Sequence, residues 1–532
     1  MGACALLATG AGAASSPDVL LIVADDLGFS DLGCFGGEIP TPHLDELAAN
    51  GLRLAQSYSF ARCSPSRAAL LTGRYPHEVG MGMLAEDPLT SAPADAAPAY
   101  RRYLAPEVPT LSERLREEGV HTALAGKWHL GAHAPERRPL ARGFDWFYGL
   151  LYGSSSYHRP MPPRPFLRQD VEQPPPPDES GFYATDAIAD ELIGYLRERS
   201  PAERWFALLA FTAPHWPLHA PEEDVARFVG QYRRGWDRLR EERFARQREL
   251  GVIPAHTQLP PRPEGVRAWD SLSPREQEEL DYRMAVYAAQ VYRLDLAVGR
   301  VVATLRELGR LENTLVIFVS DNGASAEPNT DVGGGIFEVV NQPEAFGLGS
   351  ARAPAGGSSY GMGWAHLSNT PFRGYKSRLY EGGVRSPTIV HWPAGLRVPV
   401  GSISHEPMSL LDLAPTILEA ASATYSKSHD AGGLRKVWDG RSQLAQWRGA
   451  RSSRPITLAW EQYGHQAVRQ GNWKIVRTDD LDASWELYDL EADPTEMSDR
   501  AATEPERLAS LVALWSEWAE AVGVQPLADV RR

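Results

Sequence analysis

Short aliphatic runs, too apolar to face water on either side, recur along this chain, and each is separated from the next by stretches with helical spacing. This alternation restricts the fold more than any other feature. Residues 18–23 (DVLLIV), 205–211 (WFALLAF) and 314–319 (TLVIFV) read as buried strands, and 122–125 and 387–391 as shorter ones. Residues 42–50, 110–118, 183–199 and 281–308 carry helical periodicity, with Gly51, Gly119 and Gly309 just beyond three of the ends. Strands apolar on both faces, alternating with helices, predict an α/β fold with a large, mainly parallel sheet covered on both sides.

Two stretches break the rhythm. Residues 160–177 are rich in proline and 331–363 in glycine, and both read as loops or lids, since the strand–helix alternation resumes after each. Beyond about residue 440 the pattern changes. Residues 467–476 and 485–490 read as antiparallel strands with Trp473 and Trp485 in their core, and 505–522 as a closing helix with Pro505 in its first turn and Gly523 past its end. The expected division is an N-terminal tail (1–16), a large domain (17–440) and a small C-terminal antiparallel-sheet domain (441–532).

A formal net charge of −14 over 532 residues argues against a general nucleic-acid binder. It leaves anionic substrates open, because a few cations and a metal reverse the field locally. Three cysteines, Cys4, Cys34 and Cys63, cannot build a disulfide framework. A cytoplasmic location is the simpler reading, with the periplasm also compatible. No run of about 18 apolar residues reads as a transmembrane segment, and a monomer is expected.

Ligands of open parallel sheets bind beyond the carboxyl ends of the strands. Four predicted strands run directly into chemically capable residues: Asp25-Asp26, Gly126-Lys127-Trp128-His129, Ala213-Pro214-His215 and Ser320-Asp321-Asn322-Gly323. If the strands are parallel, all four groups meet at one edge. Asp25, Asp26, Asp321 and Asn322 offer only oxygen donors, which select calcium or magnesium over zinc or copper. An Asp-Asp pair is also an ordinary turn or cap, but adjacent acids repel unless a cation sits between them.

The sharpest motif is Cys63-Ser64-Pro65-Ser66-Arg67, continuing through Leu70-Leu71-Thr72-Gly73. Pro65 suits the first turn of a helix that Gly73 ends. Cys63 then lies at the helix N-terminus, where backbone N–H groups favour an anion, with Arg67 one turn on along the same face. Taken singly, these residues have plainer readings. A lone cysteine is most often a small buried hydrophobe, which suits Cys4 and Cys34. Lys127 and Lys376 alone would be solvated lysines, and Trp128 and Trp216 packing residues.

This motif resembles the signature of formylglycine-dependent sulfatases, and Gly126-Lys127-Trp128-His129-Leu130-Gly131 resembles that family's second signature. The likeness extends to Val23-Ala24-Asp25-Asp26-Leu27-Gly28, Ala213-Pro214-His215-Trp216-Pro217, Ser320-Asp321-Asn322-Gly323 and Leu487-Tyr488-Asp489-Leu490, and so covers most of the chain. The pattern is most similar to bacterial arylsulfatases. The resemblance implies an alkaline-phosphatase-like fold and hydrolysis of sulfate esters, aryl sulfates foremost, through a covalent sulfo-enzyme on formylglycine made from Cys63. It implies one calcium ion held by Asp25, Asp26, Asp321 and Asn322 and touched by the converted Cys63. It places Arg67, Lys127 and His129 around the nucleophile and sulfate, and His215 on the leaving-group side. The family's remaining lysine falls on Lys376, upstream of Glu381-Gly382-Gly383. The implied partners are a small sulfate ester and a maturation enzyme that oxidises Cys63. Two other readings stand beside this one: a phosphohydrolase of the same superfold, and a non-catalytic binding protein whose Cys63 is never oxidised.

Overall fold

The computed structural model describes residues 16–86, 96–177, 180–326, 359–423, 440–451, 455–478 and 483–527. Cys4, nearly all of the N-terminal tail and most of the glycine-rich stretch lie outside these residues. The main sheet contains β1 (Asp18–Ala24), β2 (Leu52–Tyr58), β3 (His121–Lys127), β4 (Trp146–Leu150), β5 (Phe166–Arg168), β6 (Val171–Glu172), β7 (Trp205–Ala210), β8 (Thr314–Ser320), β9 (Arg385–His391), β10 (Ser402–Ser404) and β11 (Met408–Ser409). Their spatial order is β10-β2-β9-β8-β1-β7-β3-β4-β5-β6, with β11 paired to β2.

The central strands β8, β1, β7, β3 and β4 are mutually parallel. Every residue of β1, β7 and β8 is buried, as expected for strands covered on both faces. Along β1, Leu20, Ile22 and Ala24 enter one core, and Val19, Leu21 and Val23 enter the other. Fully burying such an aliphatic side chain contributes about 1.5–3 kcal/mol, so a one-residue slip of register would lose both cores together. β9 runs antiparallel to both β8 and β2.

The helix Pro274–Glu307 spans one face. It begins a turn and more before the expected residue 281, at a capping box formed by Ser273 and Glu276. The proline-rich stretch differs from expectation: part of it forms the β5–β6 hairpin, which extends the sheet edge antiparallel to β4. Buried Phe166 and Leu167 supply the apolar face that a free loop would lack.

The second sheet is an antiparallel meander of β12 (Thr457–Gln462), β13 (His465–Gln470), β14 (Trp473–Arg477) and β15 (Glu486–Asp489). The helix Pro505–Val522 covers it. Trp460 and Trp518 fill its centre, whereas Trp473 and Trp485, expected in the core, are only partly buried against it. This core continues into the larger unit through Tyr58, Phe60, Ala69, Tyr75 and Val384, so the small sheet packs against the very segments that precede and follow the Cys63 motif. Among the described residues, no helix is long and apolar enough to cross a membrane.

Candidate active site

The four polar strand ends do meet. β8, β1, β7 and β3 are sheet neighbours with parallel register, Ala24 level with Ser320 and Val23 level with Ala210. The ladder runs one step further: Asp25 N–H donates to Ala213 O at 3.0 Å and Asp321 N–H to Ala24 O at 3.1 Å. The chain then turns at Asp26, whose φ of 67° lies in the left-handed region that Asp tolerates better than most residues. Asn322 Nδ2 donates to Asp26 Oδ1 at 2.6 Å, and Asp26 N–H donates to Asp321 Oδ1 at 3.3 Å. Asp25, Asp26, Asp321 and Asn322 are all buried.

The helix Cys63–Thr72 enters from one side with all of its residues buried, and Gly73 ends it in the left-handed conformation. The N-cap residue, Arg62, makes no side-chain cap; Pro65 carries no N–H and Ser66 N–H donates to Arg62 O at 3.0 Å. The Cys63 thiol donates to Asp25 Oδ1 at 3.4 Å and lies 3.9 Å from Asp26 Oδ1. One turn on, Arg67 Nε donates to Asp321 Oδ2 at 3.0 Å and Nη1 to Lys127 O at 2.9 Å. The two lysines, which singly would have been surface groups, are both buried. Lys127 Nζ is 2.6 Å from Asp25 Oδ2, and Lys376 Nζ is 2.9 Å from Asp26 Oδ2 and 3.3 Å from His215 Nε2.

His215 Nδ1 lies 2.6 Å from Trp216 O; a carbonyl only accepts, so Nδ1 carries the proton and Nε2 faces Lys376 as an acceptor. Burial pushes His215 down to about 3, with Asp26 pulling the other way. His129 is held well below its ordinary value by burial, with Lys127 and Arg67 adding to the effect. Both imidazoles are therefore neutral in this setting. Burial also pushes the Cys63 thiol far up, against the pull of Lys127 and Lys376, so the unmodified side chain is a protonated thiol and a poor nucleophile.

The donor set fits a hard divalent cation. Three buried carboxylates face three cations, which leaves the cluster neutral, and a divalent ion would give it an excess positive charge suited to an anionic substrate. Asn322 Oδ1 is buried without a hydrogen-bond partner, a state that a metal would relieve. Asp321 is raised by burial first and by the charge of Asp25 next, which is the repulsion a cation removes. Ligand atoms of Asp25, Asp26, Cys63 and His215 lie within 4.8 Å of one another, so His215 borders the same space.

Two features escaped the sequence reading. Gly153 lies against His129: a Cβ there would come 2.9 Å from its Cε1 and 3.0 Å from its Nε2. Nothing in the local sequence marks this glycine, whose backbone needs no special φ. Gly153→Ala is expected to displace the imidazole and lower kcat by about 10-fold with little change in thermal stability; unchanged kcat would mean that the ring's position is not used. The second feature is a recess of about 10 Å³, room for about one water, beside Asp26 and His215, lined by Pro214, Trp216, Leu218, Tyr287, Ser325, Ser359 and Tyr360. Tyr287 and Tyr360 stack at 4.3 Å between ring centroids. They come from the long helix and from the end of the glycine-rich stretch, which no sequence spacing connects.

Known proteins match this chain along most of its length. Residues 17–423 match the family profile described as Sulfatase, and residues 373–516 the one described as N-sulphoglucosamine sulphohydrolase, C-terminal. The chain is 34% identical to an uncharacterized sulfatase of Schizosaccharomyces pombe, over 96% of this chain and 95% of that protein. It is 35% identical to an arylsulfatase of Klebsiella aerogenes, over 80% of this chain and 91% of that protein. Among solved structures, that of Ps i-CgsB in complex with k-i-k-neocarrahexaose is similar with a TM-score of 0.67 and 25% identity, over 95% of this chain and 93% of that one.

Proposed function

The chain belongs to the sulfatase family, of the formylglycine-dependent type, and from that premise we propose that it hydrolyses small aryl sulfate esters at the cluster around Cys63. In this reading Cys63 is oxidised to formylglycine by a separate maturation enzyme, and Asp25, Asp26, Asp321 and Asn322 hold one calcium ion. The observation that carries it is the Cys63 side chain, 3.4 Å from Asp25 at an uncapped helix start, inside a ring of Arg67, Lys127, His215 and Lys376. With Cys63 1% exposed, its oxidation has to precede closure of the fold.

Converted to hydrated formylglycine, Cys63 would supply an oxygen nucleophile for the sulfur and a second hydroxyl on the same carbon, whose loss of a proton would expel sulfate with its C–O bond and restore the aldehyde. A calcium ion held by Asp25, Asp26, Asp321 and Asn322 would supply fixed positive charge to the site. The chain's own side chains do the rest. Arg67, Lys127 and Lys376 are pre-placed donors for charge that grows on the sulfate oxygens as the ester bond breaks. Their partners are buried, so little reorganisation is needed. His129, neutral and with Nδ1 free of any partner, is suited to take a proton during sulfate release. Lys376 bears the proton that the leaving oxygen takes, and His215 Nε2, 3.3 Å away, is placed to receive it and pass it on.

The arylsulfatase relative favours an aryl ester as the substrate. A phenolate leaves more readily than an alkoxide and demands less of the acid. His215→Ala is therefore expected to lower kcat/KM on an alkyl sulfate by about 1,000-fold, and on an activated aryl sulfate by about 10-fold or less. A sulfated-sugar substrate is the second reading, favoured by the likeness to Ps i-CgsB, which was solved with an oligosaccharide. The test compares kcat/KM on an aryl sulfate, an alkyl sulfate, a sulfated sugar and the matching aryl phosphate. A clear preference for the sugar would overturn the small-ester assignment. A preference for the phosphate would make the chain a phosphohydrolase.

A further inference from the structure

We propose that Lys474, in the small C-terminal sheet, is a positioning residue for the reaction: through Glu381 it fixes the segment that carries Lys376 and seats it against the end of β8. This rests on the reading above, in which Lys376 and Asn322 serve the site.

Lys474 lies on β14, outside the large unit, yet its Nζ is 2.9 Å from Glu381 Oε1 and 2.9 Å from Glu496 Oε1, and all three residues are 0% exposed. The other Glu381 oxygen accepts from Tyr58 Oη at 2.7 Å and Arg385 Nη1 at 3.3 Å, and Glu381 N–H donates to Glu496 Oε2 at 2.7 Å. The Arg469 guanidinium, also from the small sheet, bonds the Tyr58 hydroxyl. Burial would push the Glu381 carboxyl up, but Lys474, Arg385 and Arg469 outweigh it and hold it below the usual carboxylate range. Apolar residues of similar volume would stabilise such a space at least as well as buried ions do. What the ion network adds is a single defined place for Glu381.

That place matters because of what Glu381 is attached to. It begins the turn Glu381–Val384. Gly383 O accepts from Gly323 N–H at 3.2 Å, directly after Asn322. Five residues before Glu381, Lys376 N–H donates to Ala324 O at 3.0 Å, and Ser377 N–H donates to Ala61 O at 2.8 Å, two residues from Cys63. There is no slack in this seat. A Cβ on Gly323 would lie 1.8 Å from Gly382 O, and one on Gly383 would lie 1.8 Å from Arg378 O. Taking away the ammonium leaves Glu381 and Glu496 as adjacent acids, so Glu381 shifts. With no free space, the shift passes to Gly383, Gly323 and Lys376.

The test measures kcat and KM on an aryl sulfate for Lys474→Met, Lys376→Ala and the double variant, with Lys474→Arg as the charge-preserving control. Lys474→Met is expected to lower kcat by about 10-fold or more with KM within about 3-fold. In the Lys376→Ala background its effect is expected to be much smaller, because the part that acts through the Lys376 ammonium is already lost; Lys474→Arg should recover part of the loss. A purely structural anchor would instead give losses that multiply. If Lys474→Met does not fold, Glu496→Gln, which weakens the same link, is read in the same double-variant comparison. Unchanged kcat, or multiplying losses, overturns the inference while leaving the site intact. If Lys376→Ala alone leaves kcat unchanged, the reading of the site itself falls, and the inference with it.

Discussion

Replacing Cys63 by alanine is expected to lower kcat on an aryl sulfate by about 100,000-fold or more, because it removes the atom on which the proposed nucleophile is built. The fold should survive. The side chain is small, and losing its sulfur from the interior costs about 1 kcal/mol, which moves Tm by at most a few degrees. Cys34→Ala provides the contrast. Cys34 is partly exposed, in a short turn whose backbone N–H donates to Asp45, and its removal should leave kcat within about 2-fold. A Cys63→Ala protein with more than a few per cent of wild-type turnover would place the nucleophile elsewhere.

Asp26→Ala is expected to be nearly as severe, with kcat/KM lower by about 1,000-fold or more. Asp26 accepts from Asn322 Nδ2, is 2.9 Å from Lys376 Nζ and is 3.5 Å from His215 Nε2. On the proposed reading its loss removes a metal ligand, and it takes the Asp26 carboxylate from the buried Lys376 ammonium; breaking a buried ion pair costs about 3–5 kcal/mol. Metal content separates the two effects. Wild-type protein should hold one calcium per chain and lose activity on exhaustive chelation. Added calcium at about 100 times its dissociation constant should then stabilise the stripped protein by about 2.7 kcal/mol. Two zinc ions per chain, or full activity after chelation, would contradict this account of the site.

Much of this was legible in the chain before any coordinates. The four strand ends could be read because each apolar run passes its polar residue straight to the sheet edge, as Val23 to Asp25 and Val319 to Asp321 do. Arg67 could be read from its helical spacing to Cys63. Other parts were not. β2 was hidden because Arg53 and Gln56 interrupt its apolar residues. The helix Gly235–Leu250 starts at a glycine and buries Arg240, Arg243 and Gln247 beside Trp236 and Leu239, so apolar periodicity is blind to its inner face. Nothing local distinguishes β9, antiparallel to both of its neighbours, from the parallel strands β1, β7 and β8. Lys474 reads as an ordinary strand lysine, and its burial between two glutamates depends on Glu381, 93 positions away. Spacing reveals what one element presents; it does not reveal which distant element it will face.

The central claim is that turnover belongs to the converted form of Cys63, and the most direct measurement is mass spectrometry of the Cys63 peptide, taken on the same preparations whose activity is titrated. The account predicts that activity per mole rises in proportion to the fraction of that peptide carrying formylglycine, and vanishes in preparations where all of it carries a thiol. Full activity from protein whose Cys63 peptide is entirely unmodified would contradict it.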